Sequence, residues 1–216
     1  MNYREQFNEE LKKTRVIAIV RGVEPSYLFS LTQALYDGGI RLMEVTLNTP
    51  GATDMIQQNR ADFNGKMLVG AGTVLDETGL NRAIDAGAQF IVTPAVDLKI
   101  LDVCASLDMP ISCGAMTPSE ILTAYSHGSN PVKLFPAGSL GPQFIKELQG
   151  PLSHIPLIAV GGVSLDNAQS LMEVGIYGLG IGGSLIDKTA LASGHFSSIT
   201  DKAAALIKIT QRFLGK

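Results

Sequence analysis

The chain has 216 residues, 45% hydrophobic and 17% charged, with a formal net charge of -3. That much apolar surface offsets the entropy of ordering the chain, which argues against disorder, and the length suffices for one sizeable core. With no Lys/Arg cluster, few aromatic side chains and no apolar run near the roughly 20 residues that cross a bilayer, neither nucleic acid nor a membrane is an expected partner.

No Pro/Ser-rich or charged linker interrupts the sequence, so one domain spanning 1–216 is expected. The N-terminal MNYREQFNEELKKT has no apolar signal core, which points to the cytoplasm. Residues 1–14 read as a leading helix. Val16 to Val20 follows as the first strand-like apolar run, and Ser26 to Asp37 carries helical spacing. Further strand-like runs lie at Leu42 to Leu47, Met67 to Gly70, Phe90 to Thr93, Pro110 to Gly114, Val132 to Phe135, Leu157 to Val160 and Gly178 to Ile181, spaced by 20 to 26 residues. Between them, Asp76 to Ala86, Ser119 to His127 and Asp166 to Val174 have helical periodicity, often opened by Pro, Ser or Asp and closed by Gly. Thr200 to Leu214 reads as a closing helix.

Eight serial βα units with nearly continuous apolar strands predict a parallel sheet covered by helices, closing into a single α/β (β/α)8 TIM barrel with an extra N-terminal helix. A doubly wound open sheet is the alternative. Against it, Gly70-Ala71-Gly72 and Gly180-Ile181-Gly182-Gly183 follow strands without completing a dinucleotide fingerprint in the first βα turn.

In such a barrel, chemistry belongs at the carboxyl ends of the strands. Strand alternation sets Lys133 on the face opposite Val132 and Leu134, which points it into the barrel. Burial disfavours the ammonium, so the amine becomes a nucleophile near neutral pH, suited to a Schiff base with a ketone. Glu44, in Leu42-Met43-Glu44-Val45-Thr46-Leu47, is a carboxylate in another β-rich run, costly without a partner or a task. Beside Lys133 it would shuttle protons; a purely structural ion pair is the competing reading. Gly161-Gly162 and Gly182-Gly183-Ser184 end the last two runs, where backbone N–H groups of such barrels often cradle a phosphate. Tight turns with an N-capping serine would leave the same trace.

His127, His154 and His195 lie far apart without metal-ligand spacing, so no metal is expected, and no organic cofactor. Cys104 and Cys113 read as reduced, buried thiols.

These residues sit within VIAIVRG (16–22), GGIRLMEVTLNTP (38–50), GAGTVL (70–75), FIVTP (90–94), VKLFP (132–136), GPQFIKEL (141–148), AVGGV (159–163) and GIGGS (180–184). Jointly and in order, these segments resemble the KDPG/KHG aldolase family, named for 2-keto-3-deoxy-6-phosphogluconate and 2-keto-4-hydroxyglutarate, over nearly the whole chain. The resemblance implies a (β/α)8 homotrimer that needs no cofactor. It would cleave the phosphogluconate to pyruvate and glyceraldehyde 3-phosphate, and in some members the hydroxyglutarate to pyruvate and glyoxylate. It makes Lys133 the imine lysine and Glu44 the acid/base. Thr73, Pro94 and Phe135 would line the pyruvate end, and Gly161, Gly162, Gly182, Gly183 and Ser184 would hold the phosphate.

Two departures bear on the substrate. Many members carry Arg where this chain has Asn48, and Arg21 is the expected replacement contact for the pyruvyl carboxylate, with an ion pair to Glu44 or to a neighbouring loop as the other reading of Arg21. Val160 stands where gluconate-specific members tend to have Thr, and together with the Leu-Asn-Thr-Pro segment it resembles the 2-keto-3-deoxy-6-phosphogalactonate branch. From a different class, a non-catalytic phosphosugar-binding regulator would keep the barrel and the phosphate loops. It would have no use for a buried amine beside a carboxylate.

Overall fold

The structure is a computed structural model that describes residues 2–215. Met1 and Lys216, the ends of the expected 1–216 domain, lie outside the described residues, as does the first residue of the expected leading helix. The strands are β1 (Val16–Val20), β2 (Leu42–Thr46), β3 (Leu68–Gly72), β4 (Ile91–Val92), β5 (Ile111–Ser112), β6 (Gly114–Ala115), β7 (Val132–Leu134), β8 (Leu157–Val160) and β9 (Gly178–Ile181). All pairings are parallel, in the order β5-β4-β3-β2-β1-β9-β8-β7-β6. The first and last strands meet, with Ile17 opposite Gly180, which an open doubly wound sheet does not do.

Every expected run contains strand. The fifth, Pro110 to Gly114, is broken into β5 and β6 at Cys113, whose amide donates to Ser129 Oγ at 2.8 Å rather than to a neighbouring strand. Because these two halves stand at opposite ends of the strand order yet are consecutive in the chain, the sheet curls into a nearly closed barrel.

Around it lie α1 (Tyr3–Thr14), α2 (Leu28–Asp37), α3 (Ala52–Asp62), α4 (Glu77–Asp85), α5 (Leu98–Ser106), α6 (Pro118–Ser126), α7 (Ala137–Leu152), α8 (Leu165–Glu173), α9 (Lys188–Ala192) and α10 (Phe196–Gln211). Local chemistry starts several of them. Asn2 with Glu5, Thr117 with Glu120 and Ser164 with Asn167 form capping boxes that satisfy the first free amides of α1, α6 and α8. The expected helix from Ser26 begins instead as a 3-10 turn, Pro25–Tyr27, because proline presets the first turn but cannot donate within it. In α7, Gly141 has φ 77° and ψ 165° just before Pro142, so that element is two helical pieces meeting at a kink.

Strand alternation divides the apolar residues into two cores. The larger lies between the sheet and the helices, with Val16, Val45, Val69, Leu134 and Leu157 facing it. The smaller fills the barrel and contains Ile17, Leu42, Leu68, Phe90, Val92, Ile158 and Val160. Helix α1 contributes Phe7 and Leu11 to this inner core, with the Phe7 and Phe90 ring centroids 5.0 Å apart. Each such side chain stabilises by about 1.5 to 3 kcal/mol when removed from water. The leading helix thus stops the amino-terminal end of the barrel. Among the described residues no helix is long and apolar enough to cross a membrane.

Candidate active site

Glu44 and Lys133 are the charged groups within the barrel strands, and both are buried, at 2% and 4% exposure. Register explains their shared destination. Glu44 lies opposite Ile19 on β1 and Gly70 on β3, while Lys133 lies opposite Gly114 on β6 and Ile158 on β8, and Ile158 belongs to the inner core. Room for Glu44 comes from glycine, and glycine also lets the Pro94 backbone approach the strand that pairs with Lys133. A β-carbon on Gly72 would stand 2.6 Å from the Glu44 carboxyl carbon, and one on Gly114 would collide with the Pro94 backbone. A strand glycine marks such a close approach, so this signal was present in GAGTVL, although the spacing alone does not say what approaches.

Among the described residues the ion pairs within contact distance lie elsewhere, at Arg4–Asp108 and around Lys13, so Lys133 and Glu44 do not form a closed salt bridge. Their charges still act on each other. Burial pushes the Glu44 carboxyl up to about 6, against the pull of Lys133 and Arg21. Burial likewise holds the Lys133 ammonium below the usual lysine range, with Arg21 adding to the effect and Glu44 opposing it. The Lys133 ammonium nitrogen stands 4.9 Å from the centre of the Phe135 ring, a weakly favourable cation–π position. Together the two groups form a proton donor and acceptor, the carboxyl raised and the ammonium lowered by burial above the apolar inner core.

Arg21 leaves the end of β1 and donates to Thr73 Oγ1 at 3.0 Å, at the end of β3. The loop carrying it is fixed by the Gly22 amide, which donates to Thr49 Oγ1 at 2.9 Å. Thr73 holds φ 55°, a left-handed conformation that costs a β-branched residue about 1 to 3 kcal/mol and aims its hydroxyl at Arg21. Arg21 therefore reaches across the mouth, not into an ion pair with Glu44. Asn48 is exposed, in the loop after β2.

A cavity of about 360 Å³ opens at the mouth between Arg21, Phe135, Val160, Gly161, Gly162 and the turn from Gly182 to Ser184. Gly161 and Gly162 take φ of 85° and 71°, backbone that a side chain would strain, and Gly161 is pressed close to Phe135. The Ser184 hydroxyl donates to Val163 O at 2.6 Å, so it ties the two glycine turns together. Arg21, Phe135, Val160, the four glycines and Ser184 thus line this cavity, Thr73 joins them through Arg21, and Pro94 and Asn48 follow β4 and β2 in loops at the same end of the barrel. A hollow of about 520 Å³ near Arg41 and Gln89 contains none of them. His127 and both cysteines lie outside it too, the thiols buried and Cys104 pushed up to about 12.

The family model for KDPG and KHG aldolase matches residues 7–202. The chain belongs to this family. It is 32% identical over 191 residues to the 2-dehydro-3-deoxy-6-phosphogalactonate aldolase of Escherichia coli K12, covering 85% of this chain and 93% of that one. It is 33% identical over 204 residues to the 2-dehydro-3-deoxy-phosphogluconate aldolase of Treponema pallidum, covering 93% and 96%. In fold it matches the KDPG aldolase of Legionella pneumophila, crystallised with pyruvate captured as a covalent carbinolamine, with a TM-score of 0.84 at 27% identity over 91% of this chain and 96% of that one. As a KDPG/KHG aldolase this protein is a carbon–carbon lyase of the metal-independent class I.

Proposed function

We propose that this aldolase cleaves 2-keto-3-deoxy-6-phosphogluconate to pyruvate and glyceraldehyde 3-phosphate through an imine on Lys133, with Glu44 moving the protons and 2-keto-4-hydroxyglutarate as a second substrate. The observation that carries this reading is a buried lysine with a lowered proton affinity beside a buried carboxyl raised to about 6.

The Lys133 amine attacks the C2 ketone, and Glu44 supplies the proton that lets water leave the carbinolamine. The protonated imine is then the electron sink. Glu44, acting through water, takes the C4 hydroxyl proton. The C3–C4 bond electrons flow into the imine, and glyceraldehyde 3-phosphate departs. The same carboxyl returns a proton to C3 of the enamine, and water hydrolyses the pyruvyl imine to restore the amine. Pro94 and Phe135 wall the pyruvyl end, while the amides at Gly161, Gly162, Gly182, Gly183 and Ser184 face the distal phosphate. Incubation with pyruvate and borohydride tests this directly: mass spectrometry should locate a reduced pyruvyl adduct on Lys133, and an unmodified protein would favour a phosphosugar-binding regulator.

Arg21, held against Thr73, is the partner for the pyruvyl carboxylate in place of the arginine absent at Asn48. A charge-assisted contact contributes about 1.5 to 3 kcal/mol, so Arg21→Ala should raise KM for the keto acid roughly tenfold to a hundredfold. An unchanged KM would remove Arg21 from this role.

The 2-keto-3-deoxy-6-phosphogalactonate substrate is a second reading, favoured by Val160. Its side chain, 6% exposed at the rim of the mouth, offers no hydroxyl to read the C4 configuration. Val160→Thr should shift the kcat/KM ratio of the two C4 epimers toward the gluconate. A strong gluconate preference already present in the wild type, and unmoved by the substitution, would exclude the galactonate reading. The homotrimer belongs to the same proposal and is supported by the family resemblance.

A further inference from the structure

The glycine turns that face the substrate's distal end supply only neutral donors. A phosphate carries about -1.5 to -2 charge at neutral pH, and amides alone leave that charge uncompensated. Ser184 adds little, since its proton is committed to Val163 O. A second lobe of about 540 Å³ adjoins the mouth, sharing Ile19, Arg21, Gly182 and Gly183 with the first and adding Gly22, Val23, Ile186, Asp187 and Lys188.

Three charged residues line the two lobes: Arg21, Asp187 and Lys188. Arg21 faces the keto-acid side through Thr73. Asp187 repels an anion, and its carboxylate is already occupied in capping α9, where it accepts from the Thr189 and Ala190 amides. Lys188 is different. Among the described residues it has no hydrogen-bond or ion-pair partner for its side chain, yet the chain does not simply extend into solvent. It folds back over the β1 loop, where a β-carbon added to Gly22 would meet its nitrogen at 3.7 Å. The exposed, unpaired ammonium thus lines the same lobe as the Gly182-Gly183 turn, open to an anion seated there. We infer that Lys188 is the side-chain cation that holds the substrate phosphate and so selects phosphorylated over unphosphorylated keto acids.

This inference rests on the aldolase reading above and deepens it. An ammonium–phosphate contact is charge-assisted, and its loss falls on binding of the distal group more than on chemistry at C2. The test compares kcat/KM for the 6-phosphorylated 2-keto-3-deoxy acid with that for the same acid lacking phosphate, in the wild type, Lys188→Ala and Lys188→Arg. Lys188→Ala should lower the phosphorylated-to-unphosphorylated ratio roughly tenfold to a hundredfold, mainly through KM, and Lys188→Arg should recover part of it. A ratio unchanged in Lys188→Ala, or an equal loss on both substrates, overturns the assignment. Pyruvate trapping by wild-type protein separates the two failures. If Lys133 is labelled and the ratio does not move, only Lys188 is misassigned; if Lys133 is never labelled, the aldolase reading fails and this inference with it.

Discussion

Lys133→Ala is expected to abolish carbon–carbon cleavage, lowering kcat by more than about a thousandfold, while the protein remains folded. Without the amine there is no imine, and without the imine the electrons of the C3–C4 bond have no acceptor. The fold should survive because the side chain contributes no salt bridge and its charged form is disfavoured by burial. Truncation removes that desolvation cost while leaving a small cavity, two effects of opposite sign. The variant should show native circular dichroism, no borohydride-trapped pyruvate and no turnover. Activity within about tenfold of the wild type would defeat the imine mechanism.

Glu44→Gln is expected to lower kcat by about a hundredfold to ten-thousandfold, the usual contribution of a positioned acid/base group. It should also change the pH profile. With the carboxyl raised to about 6, wild-type kcat/KM should rise with pH through that region as the base form appears, and Glu44→Gln should lose this limb. Stability should move the other way. The unfolded carboxyl titrates near 4.5 and the folded one near 6, so the folded state holds the proton more tightly. The stabilisation from that tighter hold is complete below about 4.5 and is lost as the pH rises through 6. The gap corresponds to about 2 kcal/mol. Glutamine resembles the protonated acid, so urea unfolding should find the variant more stable than the wild type at pH 8 by up to about 2 kcal/mol, and equal to it at pH 4. A variant less stable at pH 8 would mean that the Glu44 carboxylate is held by a partner and is not a free base.

Much of this architecture is legible in the sequence because a parallel strand buried on both faces must be apolar nearly throughout, and such runs stand out against helical spacing. Lys133 and Glu44 were conspicuous for the same reason, as charges set where charge is costly. The break at Cys113 was not, since it depends on a hydroxyl from Ser129 that only the folded chain brings near. Helix α7 was hidden by Gly141, Pro142 and Pro151, which locally argue against helix and are accommodated by a kink and by the helix end. Gly72 and Gly114 carried a signal without an object: the sequence shows that something approaches closely, and tertiary structure says what. Lys188 had no local mark at all, because its nearness to the Gly22 loop and the Gly182-Gly183 turn arises only when the first and last strands meet.

The plugging of the barrel by Phe7 and Leu11 has a bearing on traffic. A vessel sealed at its base has one doorway, and Lys133 and Glu44 lie on its floor while the glycine turns ring the rim. Whatever is fastened to the lysine lies behind whatever rests on the turns. In the cleavage direction the phosphorylated aldehyde blocks the way out and must go first; in the condensation direction pyruvate must already be seated before an aldehyde arrives. The imine itself sets this order, and the leading helix adds a closed floor that leaves the mouth as the route for both partners.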